Sequence, residues 1–245
     1  MLQTQEKPRR YDILRMLVDE YVDLAEPIGS EVLCAKHQLS WSSATVRGDL
    51  SELEEEGYLA KPHVSGGRIP TDNAYRKIRD ELLEDVEGFQ ERWNPFKEAH
   101  ISSSTLGSSP NRVSLATRML AELTNHLVLG GVLEKDELRE VGLPSLIREP
   151  EFADQEAVAG VAAFMEHVAE ETEDVMEKLL RNTFGVFIGE ENTFREIRSC
   201  SLLVSGFRTK EGDQGFLAIL GPTRMPYERN IAFLENVANA LGKRI

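Results

Sequence analysis

A chain of 245 residues is long enough for one large or two ordinary domains, and its 41% hydrophobic content can fill a real core. A formal net charge of −14 excludes a generally adhesive nucleic-acid binder, so any DNA contact must come from a local basic patch. No run approaches the ~20 apolar residues of a membrane span, the polar stretch Met1 to Arg10 has no apolar signal core, and two cysteines, Cys34 and Cys200, cannot build a disulfide scaffold; the expectation is a cytoplasmic protein in a reducing compartment.

Helical spacing of Ile13, Leu14, Leu17, Val18 and Tyr21 predicts a first helix over Tyr11 to Leu24. Pro27 and Gly29 break it, and Ser30 to Lys36 reads as a short second helix. Leu39 to Ser42 is a turn. A third helix follows from Ser43 to Glu56, with Ser42 as N-cap and Gly57 as its stop. Tyr58 to Pro62 and Arg68 to Pro70 read as two short strands around a polar tip, His63-Val64-Ser65-Gly66-Gly67. A fourth helix starts at Thr71 or Asp72 and reaches about Val86.

The Ser-rich stretch Glu98 to Arg112, with Gly107 and Pro110, reads as a linker. Val113 to Val128 is predicted helical, as is Asp154 to Arg181, whose apolar set is Val158, Val161, Met165, Val168, Val175, Met176 and Leu179. Phe184 to Ile188, Ile197 to Gly206 and Phe216 to Leu220 read as strands, and Tyr227 to Leu241 as a closing helix. The expected fold class is α+β. The expected division is a winged helix-turn-helix over residues 1–90, a linker over 91–112 and a second α+β domain over 113–245.

The third helix carries the functional argument. Val46, Leu50 and Leu53 form one buried stripe, and the opposite face presents Ala44, Thr45, Arg47, Gly48 and Ser51. Small side chains permit close approach to a major groove, and Arg47 can reach a guanine edge or a phosphate. Gly48 costs about 1 kcal/mol of helix stability relative to Ala, which close approach would justify. The acids Glu52, Glu54, Glu55 and Glu56 sit at the far end, as suits a helix that points only its N-terminus into the groove. From Gly57 to Arg79 there are five cations, Lys61, Arg68, Arg76, Lys77 and Arg79, against the single acid Asp72. The candidate DNA-contacting set is Ser42, Ser43, Thr45, Arg47, Gly48, Lys61, His63, Ser65, Gly66, Gly67, Arg68 and Arg76.

Other arrangements point less far. Cys34 and His37 stand three apart on the second helix, but two ligands without a partner cluster read as a packed Cys beside a surface His. Glu190-Glu191 reads as a turn rather than a catalytic pair. Gly221-Pro222-Thr223-Arg224 is a sharp loop opening a helix, where a small anion could bind, although turn chemistry explains it as well. No phosphate-loop lysine and no nucleophile elbow is present, so no catalytic residue, metal or cofactor is assigned and the protein is not read as an enzyme. Alternatives are a ligand-sensing winged-helix regulator of other genes, an enzyme with an N-terminal winged helix, and a protein-interaction module.

Several stretches resemble the heat-inducible transcription repressor HrcA family. They are Ser42-Ser43-Ala44-Thr45-Val46-Arg47, Leu53 to Leu59, Pro62 to Asp72, Glu122 to Leu127, Gly142 to Ile147 with Glu149 to Phe152, Ile188 to Asn192, and Gly221 to Tyr227. The resemblance implies a repressor of chaperone genes that binds an inverted repeat, CIRCE, as a homodimer. It implies a GAF-like second domain and dependence on a GroEL-type chaperonin. It also puts Ser43, Thr45 and Arg47 on a recognition helix and His63 to Arg68 on a wing. The chain departs from the family pattern at Gly48, Val64 and Gly66. It is also shorter, with a dimerising insertion and some sheet expected to be reduced between Val132 and Gly142.

Overall fold

The computed structural model of the chain describes residues 3–62, 66–84, 111–133, 137–170 and 184–244, together with Val175 and Lys178. The expected tip residues His63, Val64 and Ser65, positions 85–86 of the expected fourth helix, positions 91–110 of the expected linker and most of the expected helix beyond Glu170 lie outside the described residues. By internal contacts the chain divides into two units, Met1–Glu84 and Asp85–Ile245.

The first unit runs α1 (Gln3–Leu24), α2 (Ser30–His37), α3 (Ser43–Glu55), β1 (Leu59–Ala60), β2 (Ile69–Pro70) and α4 (Asp72–Glu84). Ile13, Leu14 and Leu17 of α1, Leu33 of α2, Val46, Leu50 and Leu53 of α3, and Tyr75 and Ile78 of α4 are buried together. β1 and β2 pair antiparallel, Leu59 opposite Pro70 and Ala60 opposite Ile69. A third strand-like contact escaped the sequence reading. Ile28 N–H donates to the Arg68 carbonyl at 2.9 Å, and Arg68 N–H donates to the Ile28 carbonyl at 2.8 Å. Pro27 and Gly29 therefore bracket an extended residue as well as ending α1. Gly67 has a specific reason to lack a side chain, since a Cβ there would run into the Ile28 backbone. Its backbone is not left-handed, so this glycine serves close approach rather than a left-handed turn. The element order, with the hairpin rooted on Ile28, is that of a winged helix-turn-helix.

The second unit is a GAF-like α+β layer structure. Its elements are α5 (Arg112–Thr124), β3 (Leu127–Val132), β4 (Glu137–Val141), α6 (Leu143–Leu146), α7 (Gln155–Glu170), β5 (Phe184–Ile188), β6 (Cys200–Arg208), β7 (Gln214–Pro222), α8 (Tyr227–Leu241) and β8 (Lys243–Arg244). The strands form one antiparallel sheet in the order β4-β3-β7-β6-β5, with β8 also paired to β6. Leu127, Leu220 and Leu202 lie in register across its middle. That face packs on Val161, Phe164 and Val168 of α7 and on Phe152, Phe194 and Ile197. The opposite face carries α5 and α8.

Two strands were misread. The expected helix over Val113 to Val128 stops at Thr124, because Asn125 turns left-handed at φ 59° and donates its N–H to the Ala121 carbonyl. Leu127-Val-Leu-Gly-Gly-Val132 is then a strand buried on both faces, so it has no alternation to betray it. It pairs with β4, so the sheet persists where the sequence reading expected it to be reduced. Gly130 lets α5 lie close on β3. A Cβ there would overlap Thr117 Oγ1, which is buried and held by its bond to the Val113 carbonyl at 2.8 Å. Gly130→Ala should lose about 1–3 kcal/mol by overpacking. In urea denaturation, adding Thr117→Ala to Gly130→Ala should recover most of that loss. No recovery would mean the close approach is not what Gly130 provides.

Candidate nucleic-acid interface

Ser42 caps α3, its side-chain oxygen accepting the Thr45 N–H at 3.1 Å, while the Ser42 and Thr45 hydroxyls share a second bond at 2.9 Å. Ser43 Oγ meets Ser30 Oγ at 3.1 Å, so the starts of α2 and α3 are tied together. Val46, Leu50 and Leu53 face the core. Ala44, Thr45, Arg47 and Gly48 face outward, with nothing within 4 Å of a Cβ built on Gly48. The outward face near the N-terminus is thus made of small residues and one long cation.

Four acids of α3 and its C-cap are paired from within the unit. Arg9 of α1 holds buried Asp49 with two bonds at 3.0 and 2.7 Å, and its guanidinium lies over the Trp41 ring. Arg10 bridges Glu52 and Glu56 at 2.6 and 2.8 Å. Arg68 of the wing reaches Glu54 at 2.7 Å. Local sequence could not show these pairs, since the arginines come from other elements.

The same accounting isolates two cations. Lys36 pairs with Glu20, Arg76 with Asp72 and Asn73, Lys77 with Glu81, and Arg79 with Asp80. Among the described side chains of this unit, Arg47 and Lys61 are the cations left without a partner, and both are exposed. Both line a cleft of 510 Å³ together with Gly29, Ser30, Ser51, Gly66, Gly67 and Arg68. The structure therefore brings together Arg47, Lys61 and the root of the wing. Arg68 lines the same cleft but is taken by Glu54, Arg76 is taken by Asp72 and Asn73, and His63 and Ser65 lie outside the described residues.

The remaining sequence candidates are each occupied in place. His37 Nε2 lies 3.1 Å from Glu20 Oε1, and Cys34 Sγ points at the Trp41 carbonyl, so the two do not converge. Glu191 accepts the Ile188 N–H at 3.0 Å and Glu190 pairs with Arg198, both as turn residues. Cys200 is buried, which pushes its thiol up to about 11. Arg224, in the loop considered for an anion, turns onto Glu149 at 2.7 Å and Glu151 at 2.6 Å, so two stretches that carried the family resemblance meet in space.

The family model described as the HrcA protein C-terminal domain matches residues 96–231, more than half of the chain. The chain belongs to the HrcA family. Similar HrcA proteins carry the name heat-inducible transcription repressor. That of Natranaerobius thermophilus is 26% identical over 95% of both chains. That of Nocardia farcinica is 27% identical over 99% of this chain and 98% of its own. That of Kocuria rhizophila is 49% identical over 146 residues, 58% of this chain and 43% of its own. The first two alignments run over 339 positions, so these HrcA relatives carry internal segments that the 245-residue chain lacks. A crystal structure of a hypothetical protein shares the fold at a TM-score of 0.78 and 19% identity, over 95% of this chain and 96% of that one. HrcA is a family of transcription repressors, not of enzymes. Among the described residues no helix is long and apolar enough to cross a membrane.

Proposed function

We propose that the first unit binds duplex DNA through the N-terminal half of α3 and the wing, and that the second unit regulates and dimerises the repressor. The operator is the CIRCE inverted repeat of chaperone genes, read by a cytoplasmic homodimer whose activity depends on a GroEL-type chaperonin. One observation supports the DNA reading above the others. On a molecule of net charge −14, Arg47 and Lys61 have no partner among the described residues and open on the same cleft beside small exposed residues. Ser42, Ser43, Thr45 and Gly48 would meet a major groove from α3, Gly66 and Gly67 would follow the backbone, and His63 and Ser65 are proposed as further contacts from their sequence positions.

Fluorescence anisotropy with a CIRCE duplex and a scrambled duplex of equal length tests this, with oligomer size measured in parallel. The parent should prefer CIRCE, with binding that falls steeply as salt rises. Lys61→Ala should weaken both duplexes alike and reduce the log–log salt slope by about 0.9, the signature of one lost phosphate contact. Equal binding of the two duplexes by the parent would exclude the operator reading.

A further inference from the structure

A cation meant to neutralise phosphate should stand open to solvent, as Arg47 and Lys61 do. Arg68 does not. Its side chain is 14% exposed, and its Nε sits 2.7 Å from Glu54 of α3 as an ion pair rather than an aligned hydrogen bond. The backbone of the same residue is bonded in both directions to Ile28, just ahead of α2. Next to it, Gly67 lies so close to the Ile28 backbone that no side chain fits. One residue thus joins the wing to the segment leading into α2 by its backbone, and to α3 by its side chain.

We infer that Glu54 and Arg68 are positioning residues for DNA binding. Their ion pair sets the wing against α3 and so fixes the span between Lys61 and Arg47, while neither residue contacts the nucleic acid. This rests on the DNA-binding reading above and deepens it. The consequence runs against simple charge counting, in which removing an acid from a DNA-facing unit strengthens binding. Here the loss of Glu54 frees the wing, and a surface that must place two cations at once loses its preorganisation.

The test uses the full chain, the CIRCE duplex and a salt titration. Glu54→Gln and Arg68→Gln should each weaken binding about tenfold, with the salt slope unchanged because no phosphate contact is removed. The exchanged pair Glu54→Arg with Arg68→Glu should regain most of the parental affinity, which also guards against misfolded single variants. Without DNA, amide exchange at Ile28 and Arg68 should accelerate in Glu54→Gln, since those two amides hold the wing root. If Glu54→Gln binds as tightly as the parent or tighter, or Arg68→Gln lowers the slope by about 0.9, then Arg68 is a phosphate contact and the inference is overturned. If the parent itself ignores CIRCE, the DNA-binding reading fails, and the amide exchange still decides whether the pair holds the wing.

Discussion

Arg47→Ala lowers affinity for the CIRCE duplex by roughly 5- to 150-fold and leaves binding to a scrambled duplex much less affected; this is the expected result, and it follows from where the side chain stands. Arg47 lies on the outward face of α3, five residues beyond the Ser42 cap and without a carboxylate partner among the described residues. A guanidinium bidentate to guanine contributes about 1–3 kcal/mol of discrimination, which sets the size of the loss. Arg47→Lys keeps the charge and loses the planar fork, so it should restore affinity for the scrambled duplex but not the preference for CIRCE. The distinction matters because Arg47 shares its cleft with Lys61, whose loss should weaken both duplexes alike. A parallel loss on both duplexes for Arg47→Ala would demote Arg47 to a phosphate contact and move base reading elsewhere on α3.

The α3 surface was readable in sequence because its determinants are local. A serine cap, a buried stripe at helical spacing and small outward residues all fall within thirteen positions. The charge balance of that helix was not readable. Its acids read as the withdrawn end of a helix pointing its N-terminus into a groove, and the partners Arg9 and Arg10 of Asp49, Glu52 and Glu56 lie some forty residues away in the chain. The Arg68–Glu54 pair was hidden for the same reason, since sequence shows a cation after the Gly-rich tip but not the carboxylate that takes it. Nor does the sequence show that Gly67 lacks a side chain because the Ile28 backbone lies so close.

In the second unit the failures have a single physical root. β7 is apolar nearly throughout because both of its faces are covered, and its centre was still recognised as a strand. β3 is equally buried but carries Gly130 and Gly131, and only two residues, Asn125 and His126, separate it from the helix, so pattern alone merged the two. The left-handed Asn125 was the available punctuation. The resemblance-bearing stretches around Glu149 and Gly221 gave no hint of each other, yet Arg224 joins them with bidentate contact to Glu151 and a further bond to Glu149. Three charges gathered at 10% to 31% exposure anchor the loop after α6 to the start of α8.

Beside that anchor lies a histidine that should make the second unit acid-sensitive. His126 is 5% exposed, and neither ring nitrogen has a hydrogen-bond partner. Burial lowers its pKa first, the charges of Arg229 and Arg224 lower it further, and Glu151 only partly opposes them, so the group falls to about 4. Above its unfolded value of about 6.5 the ring is neutral in both states and contributes nothing to pH dependence. As pH falls below that point the unfolded chain takes up a proton that the folded chain refuses. Stability is therefore lost progressively until about 4, by about 3 kcal/mol across the window. His126→Phe keeps a flat ring against Gly221 and removes the titrating nitrogens. Urea denaturation at pH 7 and at pH 4.5 should show the parent losing about 2–3 kcal/mol more than this variant, with the other acid-sensitive groups cancelling in the comparison. An equal decline in both proteins would mean that His126 already binds its proton in the fold, and that the two arginines do not act on it.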